Sequence, residues 1–135
     1  MTMRTYTELC MLDTLEDRFD YLALNGAVGD TTFGSSRYVN QSFYRSREWR
    51  NVRNLVILRD IGELGLEEYP IRGAPAIHHM NPLTMDDFAE MTDNLLHPEY
   101  LILVSHKMHN AVHFGDRSLI PKPFVERQPG DTKLW

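Results

Sequence analysis

The histidines are the residues of this chain best suited to chemistry, and five of the six lie in two short segments. His78 and His79 form a doublet, while His109 and His113 are four residues apart and would share one face of a helix. Two imidazoles at that spacing can bind one metal ion, and a third ligand from the doublet would leave a coordination position open, as in catalytic zinc sites. If the doublet ends a strand, its side chains point to opposite faces. One histidine can then reach the metal while the other acts as a base.

The segments around these histidines have the patterns of short strands and a capped helix. We expect short strands over 69–72 and 75–78, restricted by their prolines to edge or terminal positions. The apolar, β-prone run 100–104 leads to Ser105, a good N-cap for a helix that carries the second pair of histidines. Gly115 ends that helix. A strand end and a helix face are therefore predicted to position the histidines.

Other capping signals predict packing helices. Thr14 begins a helix that ends at Asn25-Gly26, a short helix covers 37–44, and Thr84 begins a helix of about 85–95. The apolar faces are Leu15, Phe19 and Leu22 in the first of these helices, and Phe88, Met91 and Leu95 in the last.

A basic stripe lies within an acidic chain. The net charge is −5 at pH 7, but residues 37–59 carry six arginines against a single acid, Glu48. Ser46 is a good N-cap for a helix over about 47–60. Its predicted buried stripe is Trp49, Val52, Val56 and Ile57, and the arginines outside that stripe are Arg45, Arg47, Arg50 and Arg53. These arginines either follow a phosphate backbone or form a solvated face that pairs with acidic neighbours; the pattern does not distinguish the two.

Length and composition indicate one compact domain of 135 residues, 42% of them hydrophobic. Within it we expect an N-terminal helical region over 1–60, a core over 61–116 that carries the histidines, and a C-terminal arm over 117–135. No apolar run reaches the roughly 18 residues of a membrane span, and the N-terminus has no apolar signal region. Cys10 is a lone cysteine, so no disulfide framework is expected and a cytoplasmic location is the simple interpretation.

The order of these segments resembles the HNH, or ββα-metal, endonuclease motif, with the closest motif match to the colicin DNase group. A strand ending in His-His is followed by an excursion, an apolar strand and a helix bearing His-x-x-x-His. The wider sequence resembles HNH proteins encoded by bacteriophages. The residues that carry the resemblance are the lead-in 43–53, Arg59-Asp60, 78–82, 98–102 and 109–116. The resemblance implies an α+β fold with a ββα-metal core, an added N-terminal helical region and an irregular C-terminal arm.

The resemblance also implies roles for individual residues. His78, His109 and His113 correspond to the metal ligands, and His79 corresponds to the general base. The motif position usually held by Asn, which braces the loop behind the base, is held here by Tyr100. Many relatives carry two Cys-x-x-Cys pairs for a structural zinc, and this chain has none, so any metal is the catalytic one.

Some roles have more than one candidate residue. If Tyr100 does not brace the loop, Asn94 or Asn81 can substitute for it. Arg72, on the strand next to the doublet, is a candidate clamp for the scissile phosphate. Pairing of Arg72 with an acid of the preceding turn, Glu67 or Glu68, is the alternative.

Phosphodiester hydrolysis explains the same residues chemically. A neutral imidazole is a suitable base near pH 7, and a divalent metal with open positions polarises the phosphate and stabilises the leaving oxygen. The prediction is a metal-dependent HNH endonuclease that nicks or cuts double-stranded DNA with one Zn, Ni, Mn or Mg ion, in the host cytoplasm if the chain is phage-encoded.

Two alternatives stay open. Tyr100 in the Asn position favours a DNA-binding accessory protein that cleaves weakly or not at all and acts with phage packaging or replication proteins. A metal-dependent RNase is the third possibility, since the same site chemistry would allow it.

Overall fold

A computed structural model describes residues 3–23 and 37–120. The helices are α1 (Tyr6–Cys10), α2 (Leu15–Leu22), α3 (Arg37–Tyr44), α4 (Arg47–Arg59), α5 (Met85–Glu90), α6 (Asp93–Leu96) and α7 (His106–Phe114). The strands are β1 (Pro75–His79) and β2 (Leu101–Ser105), and short 3-10 turns cover Glu63–Gly65, Pro98–Tyr100 and Arg117–Leu119. The fold class is α+β. In these described ranges, no helix is long and apolar enough to cross a membrane. α2 ends at Leu22 with Ala23 as its C-cap, earlier than the predicted end at Asn25-Gly26. Those two residues and the arm beyond residue 120 lie outside the described ranges.

The two strands pair antiparallel, and their register sets the position of the histidine doublet. His78 lies opposite Ile102 and His79 opposite Leu101, and residues directly opposite each other share a face of the sheet. The strand predicted over 69–72 is wrong, because the chain turns there: the Tyr69 carbonyl accepts a hydrogen bond from the backbone N–H of residue 63 at 2.7 Å. The proline that follows has no N–H to donate to a ladder.

The outer edge of β2, which does not pair with β1, is hydrogen-bonded by side chains. Asp60 Oδ2 accepts from the Leu103 N–H at 2.8 Å, and Glu63 Oε1 accepts from the Ser105 N–H at 2.7 Å. Arg59 Nη2 donates to the first carbonyl of β2 at 2.5 Å. An unpaired strand edge is a template for another chain. These side chains occupy that edge, and the hydrogen bonds offset the cost of burying two carboxylates.

Both faces of the sheet are buried, because strand side chains alternate between faces and each face packs against its own helices. The first core, which includes Ile102 and Val104, joins one face to α1, α2 and α7. The second core, which includes Leu101 and Leu103, joins the other face to α3, α4, α5 and α6. Every residue of β2 is buried. The face on which a β1 side chain lies therefore decides which helices it meets.

The predicted starts of three helices are confirmed, because their caps are made. The side chains of Thr14, Ser46 and Ser105 each accept a hydrogen bond from the backbone N–H three residues later. Gly115 ends α7 with a φ of +67°, the left-handed conformation that favours glycine at a helix end.

Two details of the helices differ from the sequence pattern. The helix expected over about 85–95 is divided, because Met91 adopts a left-handed φ of 51° and ends α5, and α6 begins after Thr92. Ile57 is 44% exposed, so it does not belong to the buried stripe of α4, which consists of Trp49, Val52 and Val56. Each helical residue is turned by about 100° from the previous one, which carries Ile57 away from the interior.

Candidate metal and general-base site

β1 and α7 bring three of the predicted histidines together. The ring centroids of His78 and His109 are 5.2 Å apart with an interplanar angle of 66°. His109 and His113, one turn apart on α7, have ring centroids 6.3 Å apart and planes inclined by 31°. Because α7 follows β2 directly, pairing of the two strands brings His78 to the middle of that helix.

The spacing of the three rings fits a shared metal ion in part. An ion about 2.0–2.1 Å from each of two imidazole nitrogens, at the tetrahedral angle, separates the ring centroids by about 5.2 Å. His78 and His109 are at that separation, whereas His109 and His113 are farther apart. Among the described residues, no three His, Cys, Asp or Glu side chains already converge closely enough to hold an ion. The separation of His78 and His109 is thus the one expected for two ligands of one ion, and binding by all three rings would require His113 to move closer.

His78 lies in the interior with an unsatisfied ring nitrogen. It is 3% exposed, and its Nε2 has no hydrogen-bond partner within the described part of the chain. Burial, followed by the charges of His109, His79, His113 and Arg4, lowers the pKa of His78 well below its ordinary value. Burial also lowers the pKa of His109. Neutral imidazoles keep the lone pair that a metal ligand needs.

His79 points to the opposite face of β1, where Trp49 stacks on its ring with a centroid separation of 5.4 Å and an interplanar angle of 21°. Burial lowers the pKa of His79 to about 4, while the Leu95 backbone and Asp87 act against that decrease. Nε2 is buried and has no hydrogen-bond partner among the described residues. We therefore assign the contact with the Leu95 backbone to Nδ1, which leaves the lone pair on Nε2.

The loop that joins β1 to β2 is braced by Asn94. Its Nδ2 donates to Pro82 O at 3.3 Å and lies 3.5 Å from Asp87 Oδ2. Asp87 also accepts from the Thr84 N–H at 2.8 Å and from Thr92 Oγ1 at 2.6 Å. These bonds join both ends of α5 to the turn that follows the doublet. Asn94 thus contacts the loop that follows the doublet, and its role as the brace behind the base stays a prediction.

Tyr100, the residue at the motif's Asn position, makes different contacts. Its carbonyl accepts from the Met80 N–H at 3.0 Å, and its ring lies 5.9 Å from the ring of His97. Tyr100 therefore meets the residue after the doublet through its backbone, a contact that does not depend on the side chain.

Arg4 is a candidate site residue that sequence reasoning missed. Asn81 Oδ1 accepts from the Arg4 N–H at 2.7 Å, and Asn81 Nδ2 donates to Arg4 O at 3.0 Å. Arg4 Nε donates to Tyr21 O at 2.9 Å. The charge of Arg4 is close enough to His78 to lower the pKa of that ring. The contact between Arg4 and Asn81 spans 77 positions, so no local pattern could have indicated it.

The predicted phosphate-binding arginines are exposed, namely Arg45, Arg47, Arg50, Arg53 and Arg72. Three of them lie on α4, the helix whose buried Trp49 contacts His79. Arg72 lies three residues before β1. Its clamp role stays a prediction, as does its alternative pairing with Glu67 or Glu68.

Comparison of the chain with protein-family models, with curated proteins and with solved structures finds no match. The resemblance to HNH endonucleases therefore rests on the motif residues of this chain.

Proposed function

We propose that the chain is a metal-dependent HNH endonuclease that hydrolyses phosphodiester bonds of double-stranded DNA, with β1, β2 and α7 as its ββα-metal core. The observation that carries the proposal is the division of the doublet. His78 faces His109, while His79, the next residue, lies on the other face with a different partner. Buried polar atoms are nearly always hydrogen-bonded, yet both Nε2 atoms lack a partner among the described residues. Two such atoms on adjacent residues support a site for ligands.

His79 is the proposed general base. Its Nε2 accepts a proton from the attacking water, while the Leu95 backbone at Nδ1 keeps the ring in the tautomer that can do so. A pKa of about 4 keeps this ring neutral at pH 7. The negative charge of a bound phosphate beside the ring would raise that pKa toward the range in which a base is most effective.

The phosphate needs positive charge around it. A divalent ion on His78, His109 and His113 would supply that charge at the phosphate and at the leaving 3′ oxygen. We propose that Arg4 and Arg72 bind the phosphate oxygens, since a guanidinium can donate two parallel hydrogen bonds. Asn81 holds the backbone of Arg4 through two hydrogen bonds. Binding of a phosphate by Arg4 would therefore require less ordering of that segment.

The exposed arginines on and beside α4 are the proposed contacts with the flanking phosphate backbone. Phosphate contacts position a protein on the duplex without reading its sequence. This assignment predicts binding with little sequence preference, unless another protein supplies specificity.

Cleavage of supercoiled plasmid tests the proposal. Metal-stripped protein is supplied in turn with Mg, Mn, Ni and Zn, and wild type is compared with His79→Ala, His113→Ala and the control His106→Ala, which changes an exposed histidine on the same helix. Wild type and His106→Ala are expected to give relaxed or linear product. His79→Ala is expected to bind metal and DNA without cutting, and His113→Ala to bind metal more weakly.

The metal affinity of each variant is measured separately, by competition with a chromogenic chelator. Loss of metal by His79→Ala would contradict its assignment as the base. Unchanged metal affinity in His113→Ala would remove it from the ligand set. DNA binding without product in any metal would favour the accessory protein, and cleavage of structured RNA in place of plasmid would favour the RNase.

A further inference from the structure

Trp49 connects the DNA-facing helix to the proposed base. It is 6% exposed on α4 and lies against Phe43 and Tyr44, each with a ring-centroid separation of 5.3 Å. Phe43 in turn contacts Phe88 at 5.6 Å. The indole is therefore held by two aromatic rings of α3, one of which is backed by Phe88 of α5, and it presents a face to His79.

The contact with His79 restricts the imidazole without using its nitrogens. A stacked indole at 5.4 Å and 21° covers one face of the ring and limits rotation about χ2. The Leu95 backbone restrains the ring through a hydrogen bond. Nε2 keeps its lone pair, because neither contact engages it. A hydrogen bond in place of the stack would have occupied the atom that the chemistry needs.

We propose that Trp49 is a positioning residue, which holds the imidazole of His79 by stacking and ties its orientation to α4. This inference rests on the proposed function of His79. Arg50 and Arg53 follow Trp49 on the same helix, so a phosphate backbone that binds these arginines is fixed relative to the ring that receives the proton. The stack therefore serves orientation for catalysis, not merely the packing of the second core.

The first test separates orientation from packing by kinetics. Trp49→Leu is expected to lower kcat for plasmid cleavage by about 100-fold, the scale expected from misplacing a catalytic group by about 1 Å, with KM and metal affinity unchanged. Trp49→Phe keeps an aromatic face and is expected to have a kcat at least about tenfold higher than Trp49→Leu. Val52→Ala is the matched control, since it opens the same core from the same helix and should leave kcat near the wild-type value. Equal losses in Trp49→Leu and Val52→Ala would overturn the proposal.

The second test needs no cleavage and uses the wild-type fold. Protons on an imidazole stacked against an indole are shifted upfield in the proton NMR spectrum. The His79 ring protons are therefore expected upfield of those of the exposed His97 and His106, and Trp49→Phe should reduce that displacement. Unshifted His79 signals in the folded wild type would overturn the proposal. Shifted His79 signals without any nuclease activity would confirm that Trp49 stacks on His79. They would also reject the endonuclease function, and with it a catalytic role for the stack.

Discussion

His78 and His79 are adjacent in β1 and carry the same side chain, but the groups around their rings differ. Both rings have a buried Nε2 without a hydrogen-bond partner in the described part of the chain, and each such atom costs on the order of 1–3 kcal/mol when left unsatisfied. His78 lies against the ring of His109 and near enough to His113 for that charge to lower its pKa, whereas His79 faces an indole and a backbone group. Under the proposed function, the first environment would hold the cation and the second the proton acceptor. Both nitrogens would be satisfied when metal, water and phosphate are bound.

Asn94 gives a test of the brace behind the base. Asn94→Ala removes the amide that donates to Pro82 O, so we expect a loss of about 1 kcal/mol in the free energy of unfolding. We also expect kcat to fall by about tenfold or more, because α6, which carries Leu95, is less well placed against His79. Plasmid cleavage and urea unfolding measure the two effects.

Tyr100→Asn is the companion variant, since it restores the motif's usual residue. It is expected to give no increase in cleavage, because Tyr100 meets Met80 through its carbonyl and Asn94 already supplies the amide. A large gain in cleavage from Tyr100→Asn, with no loss from Asn94→Ala, would assign the brace to position 100 instead.

At the scale of residues, the sequence indicates the histidines by spacing and leaves their neighbours undetermined. The alternation of side chains along a strand places His78 and His79 on opposite faces once the strand is known. That Trp49 stacks on His79, or that Asn81 binds Arg4, depends on the packing of segments far apart in the chain. Such contacts have no periodic signature.

At the scale of elements, Ser105 fixes the junction between β2 and α7. Ser105 Oγ accepts from the Met108 N–H at 3.0 Å as the N-cap of α7 and donates to Glu63 Oε2 at 2.5 Å. The Ser105 N–H donates to the other oxygen of the same carboxylate at 2.7 Å. Burial raises the pKa of Glu63, and the two bonds from Ser105 act against that rise. The start of the histidine helix is thus fixed to the turn before β1.

Ser105→Ala is therefore expected to cost more than the loss of a cap. Removing an N-cap costs about 1 kcal/mol, and leaving a buried carboxylate oxygen without its hydroxyl donor adds about 1–3 kcal/mol. Ser46→Ala is the matched control, because the Ser46 hydroxyl caps α4 in the same way and donates to the Phe43 carbonyl instead of a carboxylate. Urea unfolding of both variants in metal-free buffer makes the comparison. Equal losses would show that the Glu63 contact contributes nothing to stability.

The elements that the sequence predicts are those set by local chemistry. Capping serines and threonines, the apolar run of β2 and Gly115 act within a few residues, so the starts of α2, α4, α5 and α7 are confirmed. The strand over 69–72 fails because the Tyr69 carbonyl turns back to accept from the backbone N–H of residue 63, and the proline that follows has no N–H for a ladder. The sequence does not predict the break at Met91. Thr92 stabilises that break by donating two hydrogen bonds to Asp87, five residues earlier, which is not a helical spacing.

At the scale of the whole molecule, the proposed metal ligands and the proposed base lie on opposite faces of the sheet. The first core supports the face of His78 through α1, α2 and α7. The second core supports the face of His79 through α3, α4, α5 and α6. The proposed ligands and the proposed base are therefore backed by different sets of helices, and they meet only at the end of β1. A change in one core can alter one function while the other persists.

Charge is unevenly distributed along the chain, which has a net charge of −5 but carries six arginines within residues 37–59. Beyond about 10 Å at 0.1 M salt the acidic remainder is screened, so duplex binding would depend on the arginines that touch phosphate. Arg47→Ala combined with Arg50→Ala is expected to weaken duplex affinity and to make the plot of log affinity against log salt shallower by about two, one for each lost contact. Titration of a labelled duplex over a series of salt concentrations measures that slope.

Arg117→Ala serves as the charge control for this pair. Arg117 is exposed and already forms an ion pair with Asp20, so its removal changes the net charge with little effect on the slope. A shallower slope for the α4 variant alone would mean that its arginines contact phosphate, because counterion release counts contacts and not total charge. Equal slopes for wild type and both variants would make the arginines of α4 a solvated face, and duplex binding would then have to come from the surface around Arg4, Arg72 and the histidines.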